Sequence, residues 1–171
     1  MKQYGKEFLF QWRLQETLQT FAAESYRLNE ELEIKALSET SKYDVFLSHS
    51  SKDKTTVIGF RRELLKQGFT VYVDWVEDSD AGREKITGKL KTAMRNSKSC
   101  IYLHSHNSRN SKWTPWELGF FDNDKGPEKV GVVPLKDNSG QLPSYVGQEY
   151  LDQYTQIGME VLDRFIRTGI Q

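Results

Sequence analysis

The sequence predicts an α/β domain of the doubly wound kind, a mostly parallel sheet of five short strands covered on both faces, preceded by an N-terminal helical extension. Three observations carry this. From Tyr43 onward, apolar runs of strand length alternate with amphipathic stretches of helix length, the order that parallel strands joined by crossovers require. The strand runs are apolar almost throughout, as expected of strands buried on both faces. Residues 1–41 differ in kind: they hold one Gly and no Pro and repeat apolar residues at helical spacing. The chain therefore divides into a leader, 1–41, and a domain, 42–171.

In the leader, Leu14, Leu18, Phe21, Ser25, Leu28 and Leu32 step by four, three, four, three and four, a heptad seam with one small polar interruption. Such a seam predicts a partner surface, either the chain's own domain or a second copy. "YDVFLS" is the first strand. Asp53 to Lys66 is a helix with Val57, Ile58, Phe60, Leu64 and Leu65 on its apolar side, and Gly68 in "KQGF" stops it. "FTVYVD", rich in β-branched and aromatic residues, is the second strand and "WVEDSDAG" a polar loop. Glu84 to Asn96 is a helix, "SCIYLH" the third strand, Pro115 to Phe121 a helix and "VGVVPL" the fourth strand. "EYLD" is the expected fifth strand. Gln153 to Thr168 is the closing helix, with Ile157, Val161, Leu162, Phe165 and Ile166 inward.

Composition narrows the function classes. Lys and Arg number 24 against 24 Asp and Glu, so no net field recommends nucleic acid or an anionic membrane as partner. The one cysteine, Cys100, lies inside a strand run, where an inert buried thiol is expected; this points to a reducing, cytoplasmic setting. No segment has the apolar length to cross a bilayer. Neither G-x-G-x-x-G nor a Walker A sequence occurs. His104 and His106 lack a third ligand at suitable spacing, so no metal site is expected.

Topology locates the site. In a doubly wound sheet of order 2-1-3-4-5, ligands bind beyond the carboxyl ends of strands one and three. Those ends are "SHSSKDK" and "HSHNSRNSKWTPWE", with the loop holding Trp75, Asp80 and Arg83 as a third wall. Within "KWTPWELGF", Trp113 and Glu117 are one helical turn apart. The same stretch also reads as a capping box, with Thr114 as N-cap, Pro115 at the first helical position and Glu117 reaching back to the cap amide. Glu117 is thus either a helix cap or a carboxylate at the rim of the crevice.

"YDVFLSHSSKDK", "GFTVYVDW", "VEDSDAGRE", "SCIYLHSHNS" and "SKWTPWELGFF", in that order, resemble a Toll/interleukin-1 receptor (TIR) domain of the bacterial type from Tyr43 to about Arg167. The resemblance implies a flavodoxin-like fold with a five-stranded parallel sheet. It also implies cleavage of NAD⁺ at the nicotinamide glycosidic bond, with NAD⁺ as substrate and no cofactor. The residue matching the family's essential glutamate is Glu117, and Trp113 matches the tryptophan lining the nicotinamide side. The loop from Trp75 to Arg83 matches the BB loop, which gates the site and contacts neighbouring copies.

A lone carboxylate suits that chemistry. Nicotinamide is cationic in NAD⁺ and departs neutral, so the acid that glycoside hydrolases use to protonate the leaving oxygen is not needed. What remains is to hold the ribose and stabilise the oxocarbenium-like charge, which Glu117 at a helix start can do. Trp113 and Trp75 offer indole faces to the nicotinamide ring, and Trp116 reads as core. Ser48, His49, Ser50 and Ser51 end a strand and open a helix, where hydroxyls and free amides can take ribose or phosphate, and Arg83 can meet the pyrophosphate. Two function classes remain open: an anti-phage enzyme releasing nicotinamide with linear, cyclic or conjugated ADP-ribose, read by a separate effector protein, or a non-catalytic TIR module that assembles through its BB loop.

Overall fold

The computed structural model describes residues 42–74, 83–111, 113–137 and 139–169. The leader, the loop 75–82 with Trp75 and Asp80, and the docking surface expected of the Leu14–Leu32 seam lie outside the described residues.

The described elements run β1 (Tyr43–Ser48), α1 (Lys54–Lys66), β2 (Val71–Val73), α2 (Arg83–Arg95), β3 (Ser97–His104), α3 (Thr114–Lys125), β4 (Val130–Pro134), β5 (Thr155–Gln156) and α4 (Met159–Thr168). The strands form one sheet of order β2-β1-β3-β4-β5, and every neighbouring pair is parallel. This is the expected doubly wound sheet. Register follows the side-chain alternation: Val45 and Leu47 of β1 and Ile101 and Leu103 of β3 face the core under α1 and α4. Phe46, Cys100 and Tyr102 face the core under α2 and α3. Both faces are apolar, so a one-residue slip would exchange the packing partners of every strand side chain.

α1 buries Val57, Phe60 and Leu64 along one stripe; full burial of each side chain stabilises by about 1.5–3 kcal/mol. Its end is a Schellman motif. Gly68, at φ +86°, donates its amide to the Leu65 carbonyl, and the Phe69 amide reaches the Leu64 carbonyl. Leu64 and Phe69, the residues that motif brings together, are both buried in the same core. Gly131 in β4 serves a different need: a Cβ there would stand 2.6 Å from Ile157 Cδ1 and 3.0 Å from the Phe165 ring, so only glycine lets the segment before α4 and the helix itself settle on the strand.

Three expectations are corrected. "EYLD" is not a strand. Glu149–Gln153 forms a 3₁₀ helix in which the Leu151 amide donates to Gln148 and the Tyr154 amide to Leu151, so these donors are spent locally and cannot pair with β4. The fifth strand follows it, with Gly131 opposite Thr155 and Val132 opposite Gln156. The closing helix begins at Met159 rather than Gln153, because Gly158 is extended and the Ile157 amide continues the ladder to the Val132 carbonyl. Ile157 is buried as expected, ahead of the helix rather than within it.

The third correction concerns the capping box. α3 includes Thr114, whose fully buried Oγ1 has no hydrogen-bond partner among the described residues. The amides of Trp113 and Thr114 both donate to Ser111 Oγ, at 3.3 Å each. Ser111 thus supplies the oxygen that Thr114 was expected to supply, since a hydroxyl two or three residues upstream can meet those amides while Thr114 packs inward. Ser111→Ala should lower stability by about 0.5–2 kcal/mol, whereas Thr114→Val, isosteric and free of the unmet hydroxyl, should leave it unchanged or raise it. Thermal melts of the two variants check this, and equal losses would contradict it.

β3 ends on His104, which is fully buried, with Nδ1 3.3 Å from the Tyr102 hydroxyl. Burial is the main force pushing this imidazole down to about 4 from its ordinary 6.5. The unfolded chain takes up a proton below pH 6.5 that the fold refuses until about pH 4. Stability should therefore fall by up to roughly 3 kcal/mol as pH drops through that window, with no His104 contribution to the slope outside it. Melting temperatures from pH 7.5 to 4, compared with His104→Gln, check this: the variant should show the shallower dependence.

Candidate functional site

The parallel pairing of β1 with β3 sets Ser48 opposite Tyr102, so the loops leaving both strands emerge side by side at the carboxyl edge of the sheet. They are tied together by Asp53, from the 3₁₀ turn Ser51–Asp53. One Asp53 oxygen accepts from Ser105 Oγ and the other from Asn107 Nδ2 at 2.6 Å. The second loop is braced from within: the Tyr102 hydroxyl donates to Ser108 Oγ, which donates to the Ser105 carbonyl and accepts the Ser105 amide. Asp53, Ser105 and Asn107 were not singled out from the sequence. Their partners lie 52 and 54 residues away, so no local spacing reveals them.

Glu117 reaches this edge from the first turn of α3. Only 6% of its surface is exposed, and its Oε2 accepts a 2.6 Å hydrogen bond from Ser48 Oγ, itself 1% exposed. A buried carboxylate costs several kcal/mol unless it is hydrogen-bonded, and an O–H···O contact of this length is typical of an ionised acceptor. The first turn of a helix also favours negative charge. Burial first pushes the Cys100 thiol and the Tyr72 hydroxyl above their ordinary values; Glu117 adds to this at Cys100, and Asp74, Tyr43 and lastly Glu117 add to it at Tyr72. Cys100 is accordingly an inert, fully buried thiol.

The Glu117 amide donates to the Trp113 carbonyl at 2.9 Å, which sets the tryptophan one turn from the glutamate. Trp113 is half-buried and meets Trp116 edge-to-face at 5.7 Å; Trp116 stacks on Phe120. Lys91 and Arg95 of α2 hold their charges 5.8 and 5.5 Å from the Phe120 ring. Trp116 packs against the core, as its sequence reading expected.

The remaining candidates are placed as follows. His49 follows Ser48 directly, and its Nδ1–H donates to the Leu47 carbonyl; burial pushes the imidazole below its ordinary value, which leaves the Nε2 lone pair as an acceptor at neutral pH. Ser50 is buried and its Oγ accepts the Lys52 amide, capping the 3₁₀ turn that Ser51 opens. Arg83 is the first residue of α2, and its side chain, like the whole of Trp75, lies outside what the structure describes. Ser48, Glu117 and Trp113 are therefore gathered at one end of the sheet, with His49 and Ser50 beside them. Among the described residues, no three His, Cys, Asp or Glu side chains are placed to hold a metal ion, and no helix is long and apolar enough to cross a membrane.

Comparison with known proteins adds independent findings. The family model described as "TIR domain" matches residues 45–161. The chain is 41% identical over 119 residues to "Probable 3' cyclic ADP-D-ribose synthase ThsB'" of Bacillus cereus (strain MSX-D12), covering 67% of this chain and 60% of that protein. It is 31% identical over 99 residues to "NAD(+) hydrolase TirS" of Staphylococcus aureus (strain MSSA476), covering 57% of this chain and 35% of that one. It thus spans less than two thirds of the length of both relatives. Among solved structures, the TIR domain of the Toll-related receptor TRR-2 from Hydra magnipapillata aligns with a TM-score of 0.50 at 15% identity, over 73% of this chain and 92% of that domain. A metazoan TIR-STING receptor from C. gigas aligns with a TM-score of 0.51 at 15% identity, over 78% and 43%. These two likenesses concern the fold. The family match covers more than half of the chain, from β1 into α4: the chain belongs to the TIR domain family.

Proposed function

We propose that this TIR domain cleaves NAD⁺ between nicotinamide and ribose. The observation that carries the reading is the buried Glu117 carboxylate, held by Ser48 at the carboxyl edge of the sheet, with Trp113 one turn away. The names of the Bacillus and Staphylococcus relatives, a cyclic ADP-D-ribose synthase and an NAD(+) hydrolase, support it.

As the glycosidic bond lengthens, positive charge moves from the nicotinamide ring to the anomeric carbon. An anion already fixed in a poorly solvated site stabilises that charge without reorganising. The departing nicotinamide takes the bonding pair and leaves neutral, so no proton has to reach it. Before cleavage the ring is cationic, and the Trp113 indole offers it a π face. The anomeric carbon is then captured by water, giving ADP-ribose, or by a hydroxyl of the same molecule, giving a cyclic product, and in either case the attacking oxygen releases its proton to solvent. The product serves as a signal to a separate effector in anti-phage defence, and the segment from Trp75 to Arg83, matched to the BB loop, joins copies of the domain and gates the site.

Glu117→Gln tests the reading, because glutamine can still accept the Ser48 hydroxyl but carries no charge. The full chain should release nicotinamide from NAD⁺ at a rate that falls on the order of a hundredfold or more in Glu117→Gln, with the melting temperature nearly unchanged. Chromatography and mass spectrometry of the products, over a range of protein concentrations, would measure both rate and product. Parental release that survives the substitution, or an inactive parental chain at every concentration, would leave a non-catalytic assembly module as the better account.

A further inference from the structure

Resting on that reading, we propose that Ser48 is a positioning residue for Glu117 rather than a contact for the substrate's ribose. The hydroxyl has a single proton, and that proton is donated to Glu117 Oε2 at 2.6 Å. Ser48 is 1% exposed, so its side chain offers almost no surface to a ligand. It is also the last residue of β1, registered against Tyr102 of β3, so its backbone is held in the sheet. Glu117 stands on a different element, 69 residues away in sequence, and the two meet only because α3 packs on the face of the sheet to which Ser48 points.

The terminal torsion of a glutamate is broad and roughly two-fold, so a hydrogen bond to one carboxylate oxygen narrows the orientations open to its plane. Fixing Oε2 fixes that plane and thereby the direction of the other oxygen. Electrostatic stabilisation of a developing cation depends on the anion being in place before the charge appears, and a misplacement of about 1 Å can cost a hundredfold in rate. Ser48 therefore acts on the chemical step through Glu117 and not on the affinity for NAD⁺.

Steady-state kinetics of the full chain with NAD⁺ separate the roles. Ser48→Ala should lower kcat by about 10- to 100-fold, the usual effect of losing a hydrogen bond to a charged group, with KM within about twofold of parental. Ser48→Thr, which keeps the hydroxyl on a strand-compatible side chain, should restore most of kcat. In a Glu117→Gln background, Ser48→Ala should cost no further kcat, since the charge it orients is gone. A raised KM with parental kcat would assign Ser48 to the ribose and overturn the proposal. Parental kcat and KM in a Ser48→Ala chain with a lowered melting temperature would make its role purely structural and overturn it as well. Should Ser48→Ala not fold, Ser48→Cys, a weaker donor of similar size, should show the same split at smaller amplitude. A parental chain that releases no nicotinamide removes the enzyme reading itself, whereas parental release with an undiminished Ser48→Ala kcat removes only the role of Ser48.

Discussion

The parallel pairing of β1 with β3 is the constraint on which the site depends. It sets Val45 against Ser99 and Ser48 against Tyr102, and so brings the ends of two strands far apart in sequence to one edge. From there the chain has little freedom. The turn after β1 presents Asp53 to Ser105 and Asn107, the 105–111 loop closes on Ser108, and Ser111 receives the first amides of α3. Each contact limits where α3 can start, and the start of α3 is where Glu117 stands. A slip of one residue between β1 and β3 would turn Ser48 to the opposite face and separate it from the carboxylate.

The site then has to accommodate a charge that the surrounding core disfavours. Tyr72, Cys100, Leu118 and Phe121 make that face of the sheet apolar, and burying a carboxylate against them is costly unless it is hydrogen-bonded. The Ser48 hydroxyl supplies that hydrogen bond, and the first turn of a helix is itself favourable to negative charge. The same low polarity strengthens whatever the carboxylate does to a cation brought next to it. Destabilised burial and chemical usefulness therefore have one cause. The ladder Trp113, Trp116 and Phe120, with Lys91 and Arg95 over its far end, joins α2 to α3 and holds the tryptophan one turn from Glu117.

The likeness in fold to a Hydra receptor domain and a C. gigas receptor at 15% identity shows how little of this scaffold is specific to any one use. What can differ between such domains is the residue that α3 delivers and the side chain that meets it from β1. In this chain both positions are polar, buried and bonded to each other, an arrangement that apolar packing alone would not produce.

Local patterns determined most of the fold. Gly68 after an amphipathic stretch stopped α1, β-branched and aromatic runs set four of the five strands, and the alternation of elements implied a parallel sheet with its crevice beyond β1 and β3. Two short segments were misread: "EYLD", read as a strand, is a 3₁₀ turn closed by backbone bonds to Gln148 and Leu151, and Thr155–Gln156, read as the start of the closing helix, is the fifth strand. Glu117 was legible as a residue with two alternative roles, because "TPWE" satisfies both a capping box and a crevice carboxylate. Only the tertiary structure showed that Thr114 packs inward instead of capping, and joined Ser48 to Glu117. The physical reason is that a hydrogen bond across 69 residues has no periodicity and no local propensity, and exists only once strand register and helix packing have placed both atoms.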